Sequence, residues 1–174
     1  MCGRYALYGP ASRLRERFEA EPEGLQFEPR YNAAPMQWLP VVRQRPNGER
    51  VIQRLRWGLV PSWAKDERIA SRLINARGES VAEKPSFRSA FKRRRCLVPA
   101  SWFYEWQGEA GTKVPYRIQR ADGRPLAFAG LSPFTMMVVT WWFKDRSDGV
   151  IASGVIRGVS GDSARIVNGS VVFE

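Results

Sequence analysis

Short apolar runs separated by tight-turn signals leave this chain little choice but an antiparallel sheet. The clearest case is Pro46-Asn47-Gly48, a hairpin turn signal between the apolar runs 38–43 and 51–57. In the second run Val51, Gln53, Leu55 and Trp57 fall on one face of a strand. Another pair of runs, 102–107 and 114–119, flanks a Gly-containing turn at 109–113, and Ala121-Asp122-Gly123-Arg124 precedes a further strand at 125–131. Helix signals are fewer. Residues 11–20 carry Leu14 and Phe18 four apart among charges. Ser80 and Glu83 have capping-box spacing, with Pro85 keeping that helix short, and 86–91 suit one more turn. The loop 58–65 leads into a short extended piece ending at 74–79. The pattern predicts an α+β fold: a single domain built on a twisted, barrel-like antiparallel β-sheet with a few short helices. Residues 1–131 form its core, and 132–174 a divergent C-terminal segment without a recognisable pattern.

At 174 residues and 44% apolar, the chain has material for one ordinary core. No apolar run approaches the roughly 20 residues of a membrane span, so no membrane partner is expected. The first residues carry no signal-peptide pattern, and two cysteines suggest no disulfide framework. A cytoplasmic, reducing setting and a monomer are the expectation. The net charge is +11, and all of the excess lies in residues 1–131, which hold 24 Lys/Arg against 13 Asp/Glu. A basic domain interleaved with aromatics points to a nucleic-acid partner, with a merely solubilising face as the other reading. The absence of histidine removes the commonest general base and metal ligand. No metal or other cofactor is predicted, and proton transfer falls to carboxylates, a terminal amine or water.

Cys2 directly follows the initiator methionine. Removal of Met1 would leave an α-amine and a thiol on adjacent carbons, with reference pKa values of roughly 8 and 8.5. Such a 1,2-aminothiol adds to an aldehyde through nitrogen and closes a thiazolidine through sulfur. The plainer alternative is a small apolar residue starting a strand. Glu105 is the one carboxylate set among rings, between Phe103-Tyr104 and Trp106. Burial there would raise its pKa and suit it to acid/base work, while an ion pair with a neighbouring Arg would make it structural. Asn75 and Arg77 alternate on an extended piece, a spacing that lets an amide meet a substrate oxygen while a guanidinium takes a phosphate.

Seven separated motifs occur in register: Met1-Cys2-Gly3-Arg4, Tyr31-Asn32-Ala33-Ala34-Pro35, Trp57-Gly58-Leu59-Val60-Pro61-Ser62-Trp63, Leu73-Ile74-Asn75-Ala76-Arg77-Gly78-Glu79, Lys84-Pro85-Ser86-Phe87-Arg88, Arg95-Cys96-Leu97-Val98-Pro99-Ala100 and Phe103-Tyr104-Glu105-Trp106. In this the chain resembles the SOS response-associated peptidase (SRAP) family over residues 1–131. The resemblance implies an enzyme of the DNA damage response that binds single-stranded DNA carrying abasic sites and works in the cytoplasm, at the bacterial nucleoid. It implies that Cys2, freed by self-processing, forms a thiazolidine crosslink with the abasic-site aldehyde, with lyase-like chemistry on the sugar. Asn75 then positions the sugar or the amine, and Glu105 is the acid/base. Arg4 and Arg77 resemble phosphate contacts, and Trp63 and Trp106 base contacts. Asn32, Pro35, Phe87 and Arg88 are assigned to the DNA channel.

Two departures stand out. Trp102 occupies a position where the family usually has Gly, and the family's C-terminal His has no counterpart here. The second implies slowed chemistry. It keeps two alternatives open, a non-catalytic single-strand binder and a self-processing cysteine peptidase of impaired activity.

Overall fold

The central hairpin forms where the turn signal puts it. Strands β4 (Trp38–Gln44) and β5 (Arg50–Trp57) pair antiparallel from Trp38↔Arg56 to Gln44↔Arg50. Gly48 closes the turn at φ +90°, a conformation glycine adopts without a Cβ penalty. The computed structural model describes residues 3–24, 26–109, 111–120, 122–132, 136–141, 164–167 and 170–173. Its other strands are β1 (Tyr5–Leu7), β2 (Glu21–Pro22), β3 (Arg30–Ala33), β6 (Asn75–Arg77), β7 (Arg95–Ala100), β8 (Trp102–Gln107), β9 (Val114–Arg120), β10 (Leu126–Leu131), β11 (Met136–Trp141), β12 (Ala164–Val167) and β13 (Ser170–Phe173). Two short α-helices, α1 (Ala11–Phe18) and α2 (Arg88–Arg93), complete the α+β fold.

The strands divide into two sheets. One has the order β12-β13-β9-β8-β1-β3, the other β2-β5-β4-β7-β10-β11-β6. The pairing is mostly antiparallel, with parallel neighbours at β2–β5, β11–β5, β11–β6 and β13–β9. The expected antiparallel sheet is therefore mixed. A hairpin signal fixes only sequential pairs, and these four pairs join strands distant in sequence. The barrel-like expectation reduces to a curl: β11 meets β5 at only two register positions, Met136↔Arg56 and Met137↔Trp57.

β7 of the second sheet runs into β8 of the first through the single residue Ser101. Ser101 is buried, and its polar atoms are used. Its N–H donates to the Ala6 carbonyl at 2.7 Å, and its Oγ accepts from the Tyr8 N–H at 3.2 Å. The main core lies between the sheets, with Tyr5, Ile52, Trp57, Val98, Phe103 and Phe128 among its members. Helix α1 covers it with Leu14 and Phe18, the pair four apart, and the Phe18 carbonyl at its end accepts from Arg50 at 3.2 Å. A second cluster joins Leu59, Ala76, Val81, Phe87, Ala90 and Leu131. No helix among the described residues is long and apolar enough to cross a membrane.

Two local expectations are corrected. Residues expected to be extended after the 58–65 loop form a 3-10 helix, Glu67–Arg72, because the Asp66 carboxylate accepts from the Arg68 N–H at 2.8 Å and caps it. The Ser80/Glu83 spacing starts no helix. The Ser80 carbonyl takes the N–H groups of Glu83 and Lys84, but Pro85 has no N–H to offer next and disfavours helical geometry at Lys84. The chain turns instead, and α2 begins at Arg88.

Gly58, directly after β5, has φ +144°, and a Cβ there would lie 2.8 Å from the Ala70 carbonyl oxygen. Gly58→Ala is expected to lower unfolding free energy by about 1–3 kcal/mol, read by urea denaturation. An unchanged midpoint would contradict that close approach. Cys96 is buried in β7, and desolvation pushes its thiol up to about 12 despite the opposing Arg43 charge. The folded thiol thus keeps its proton where the unfolded one, near 8.5, loses it, so stability falls as pH rises above about 8.5. Urea titrations at pH 8.5 and 10 should show Cys96→Ala with a shallower decline, by up to about 1 kcal/mol per pH unit. Parallel declines would rule out this burial effect.

Candidate functional site

The site grows from the way Trp57 ends β5. Its ring, fully buried, lies 5.5 Å from that of Tyr5 on β1, and its indole N–H donates to the Ile74 carbonyl at 2.7 Å. Its backbone holds the 34–37 turn: the Trp57 carbonyl accepts from Met36 N–H at 2.8 Å, and its N–H donates to the Gln37 carbonyl at 2.9 Å. One side chain and its peptide groups thus gather β1, the 34–37 turn that follows β3 and the segment leading into Asn75. After Gly58 the chain continues the same task, the Leu59 N–H donating to the Leu73 carbonyl at 3.0 Å.

β6 then alternates as the spacing predicted. Ala76 is buried in the second cluster, while Asn75 and Arg77 on either side of it are half-buried and exposed. The Asn75 Oδ1 is shielded from solvent. On β8, Phe103 packs into the core, edge-on to Phe128 at 5.5 Å, and Glu105 follows it on the same face. Glu105 stands opposite Tyr116 of β9, and its Oε1 is shielded from solvent. The opposite face carries Trp102, Tyr104 and Trp106. Arg4 continues β1 along β8: its carbonyl accepts from the Tyr104 N–H at 3.1 Å, one residue from Glu105. Its guanidinium donates to the Gly3 carbonyl at 2.8 Å.

Cys2 lies outside the described residues. The other cysteine, Cys96, has no nucleophilic form at neutral pH, since burial pushes its thiol up to about 12. Trp63 and Trp106 are 57% and 42% exposed, available for stacking. Asn32 is exposed on β3, Pro35 is half-buried in the turn, and Arg88 is exposed at the start of α2. Phe87, assigned to the DNA channel by the resemblance, is 4% exposed and belongs to the second cluster with Ala76.

Acids neutralise many of the surface cations, including Arg15, Arg45, Arg50, Arg68 and Arg124. Among the described residues, Arg77, Arg88 and Arg117 take part in no ion pair and remain exposed. No group of three His, Cys, Asp or Glu suited to a metal occurs among the described residues.

Sequence reasoning missed the aromatic neighbours of Trp102. Tyr8 and Tyr31 stack at 5.9 Å, and the Trp102 ring lies 4.9 Å from Tyr8 and 6.3 Å from Tyr31. Arg117 sits 5.0 Å from the Trp102 ring centroid. Tyr31 stood in a quoted motif, but its partners come from the residue after β1 and from β8, and the pairing of these strands brings them together.

Comparison with known proteins bears on the whole arrangement. Residues 1–150 match the family described as SOS response associated peptidase (SRAP). The chain is 43% identical over 135 residues to abasic site processing protein YoqW of Bacillus subtilis, covering 75% of this chain and 59% of that protein. It is 36% identical to abasic site processing protein HMCES of Gallus gallus over 68% of this chain and 42% of that protein. The chain thus spans little more than half the length of YoqW and less of HMCES. A crystal structure of a Bordetella bronchiseptica protein superposes with TM-score 0.65 at 30% identity, over 80% of this chain and 69% of that one. With the family match covering most of its length and the fold shared, this chain belongs to the SOS response associated peptidase (SRAP) family.

Proposed function

We propose that this chain captures abasic sites in single-stranded DNA as a thiazolidine crosslink between Cys2 and the C1′ aldehyde of the ring-opened sugar. One observation carries the reading. The Arg4 carbonyl accepts from the Tyr104 N–H at 3.1 Å, so the chain just after the Cys2 motif position runs, at Arg4, against the strand that bears Glu105. The relatives' names, abasic site processing proteins, agree with this use of the site.

The chemistry begins with loss of Met1 by self-processing, the one peptidase step in this scheme. The free α-amine adds to the C1′ aldehyde to give a carbinolamine. A proton delivered to its hydroxyl releases water and leaves an imine. The sulfur adds to the imine carbon, and the thiol proton ends on nitrogen. One C–N and one C–S bond form, one water leaves, and no oxidation state changes overall. Glu105 is the group that delivers and recovers protons, since the chain contains no histidine. Asn75 orients the sugar or the amine. Arg4 and Arg77 hold phosphates, while Trp63 and Trp106 meet the neighbouring bases. Asn32, Pro35 and Arg88 border the path of the strand. The protein acts as a cytoplasmic monomer in the response to DNA damage.

Incubation with single-stranded DNA containing one abasic site should yield a covalent species on denaturing gels. Cys2→Ala should abolish it, and Glu105→Gln should slow its formation about 10²–10⁴-fold. An undiminished product from Cys2→Ala would refute the mechanism. Thiol labelling adds an independent check. At pH 7.5 the native protein is expected to take one maleimide, at Cys2, and prior crosslinking should block it. A second equivalent on Cys96 without denaturation would contradict its buried, protonated state.

A further inference from the structure

Trp102 does not sit on the surface as an idle ring. It backs a ladder in which Tyr31, 58% exposed, stacks at 22° on Tyr8, and Tyr8 leans on Trp102. The Tyr104 hydroxyl donates to the Tyr31 carbonyl at 3.3 Å, and the Tyr104 ring lies 6.3 Å from Trp106. The five rings therefore run in one strip from the end of β1 across β3 and β8. The Trp102 Nε1 is shielded from solvent and has no acceptor among the described residues. A buried orphan donor is costly, and a phenyl ring would avoid it, so the extent of the indole is what the position uses.

The charges beside the strip suit a polyanion. Arg117 stands over Trp102 and takes part in no ion pair among the described residues, and Glu28, three positions before Tyr31, is engaged by Arg30 at 3.3 Å. From Trp102 to Trp106 is four strand steps, about 13 Å, the rise of about four stacked nucleotides.

We propose that Tyr31, held by Tyr8 and Trp102, is a nucleobase platform for single-stranded DNA flanking the captured site, with Arg117 on the adjoining phosphate. This rests on the single-strand reading above and extends it to a base about four nucleotides from Trp106. Tyr31 touches the base, whereas Trp102 is a positioning residue.

The test uses the full chain and undamaged labelled single strands, read by fluorescence anisotropy over a range of salt, so that no covalent step enters. Tyr31→Ala should weaken binding about 5- to 150-fold without changing the salt slope, and Tyr31→Phe should stay within about twofold of the original chain. Arg117→Ala should instead reduce the slope by about 0.7. Shortening the whole strand below about four nucleotides, too short to span from Trp106 to Tyr31, should erase the difference between Tyr31→Ala and the original. The proposal is overturned if Tyr31→Ala binds normally, if its loss comes with an altered salt slope, or if Tyr31→Phe falls as far. A separate gel with abasic DNA reports the crosslink. Its absence in the original chain would overturn the capture mechanism and leave the anisotropy result to decide the platform alone.

Discussion

A single hydrogen bond inside the core, from the Trp57 indole to the Ile74 carbonyl, ties the architecture to its chemistry. Burying a tryptophan completely is favourable only if its N–H finds an acceptor, and here the acceptor is the backbone immediately before Asn75. The same residue presses its ring on Tyr5 and uses both peptide groups to hold the 34–37 turn. Three segments remote in sequence thus share one anchor. β6 is also held by its pairing with β11, by the burial of Ala76 in the second cluster and by the Leu59 N–H bond to the Leu73 carbonyl just before it.

Much of the fold was legible because its signals are local. Pro46-Asn47-Gly48 demanded a hairpin, and the spacing of Leu14 and Phe18 demanded a helix face; both formed. The misread segments are those where two local signals compete. Ser80 and Glu83 offered a helix start, but Pro85 withdrew the donor needed to continue it. Asp66 carried a cap signal that the aromatic loop before it obscured. The sorting of strands into two sheets and the parallel neighbours depend on long-range packing, which no window of residues expresses.

The site was legible to a different degree. Alternation put Asn75 and Arg77 on one face of a strand, while their roles and that of Glu105 rest on the family resemblance. Phe87 was assigned through the resemblance alone, and nothing in its motif expresses its burial in the second cluster. The ladder around Trp102 was hidden for another reason. Its members are separated by up to ninety-odd positions and meet only when β8 lies against β1.

Ser101 makes that meeting exact in register. A strand displaced by one residue exchanges its two faces. For β8 this would send Trp102, Tyr104 and Trp106 into the core and turn Phe103 and Glu105 outward. With only one residue between β7 and β8 there is no slack to absorb such a slip, and the bonds of Ser101 to Ala6 and Tyr8 pin the joint to the β1 segment. One joint residue, through its peptide N–H and its hydroxyl, thereby helps decide which surface of the sheet carries rings and which carries a carboxylate.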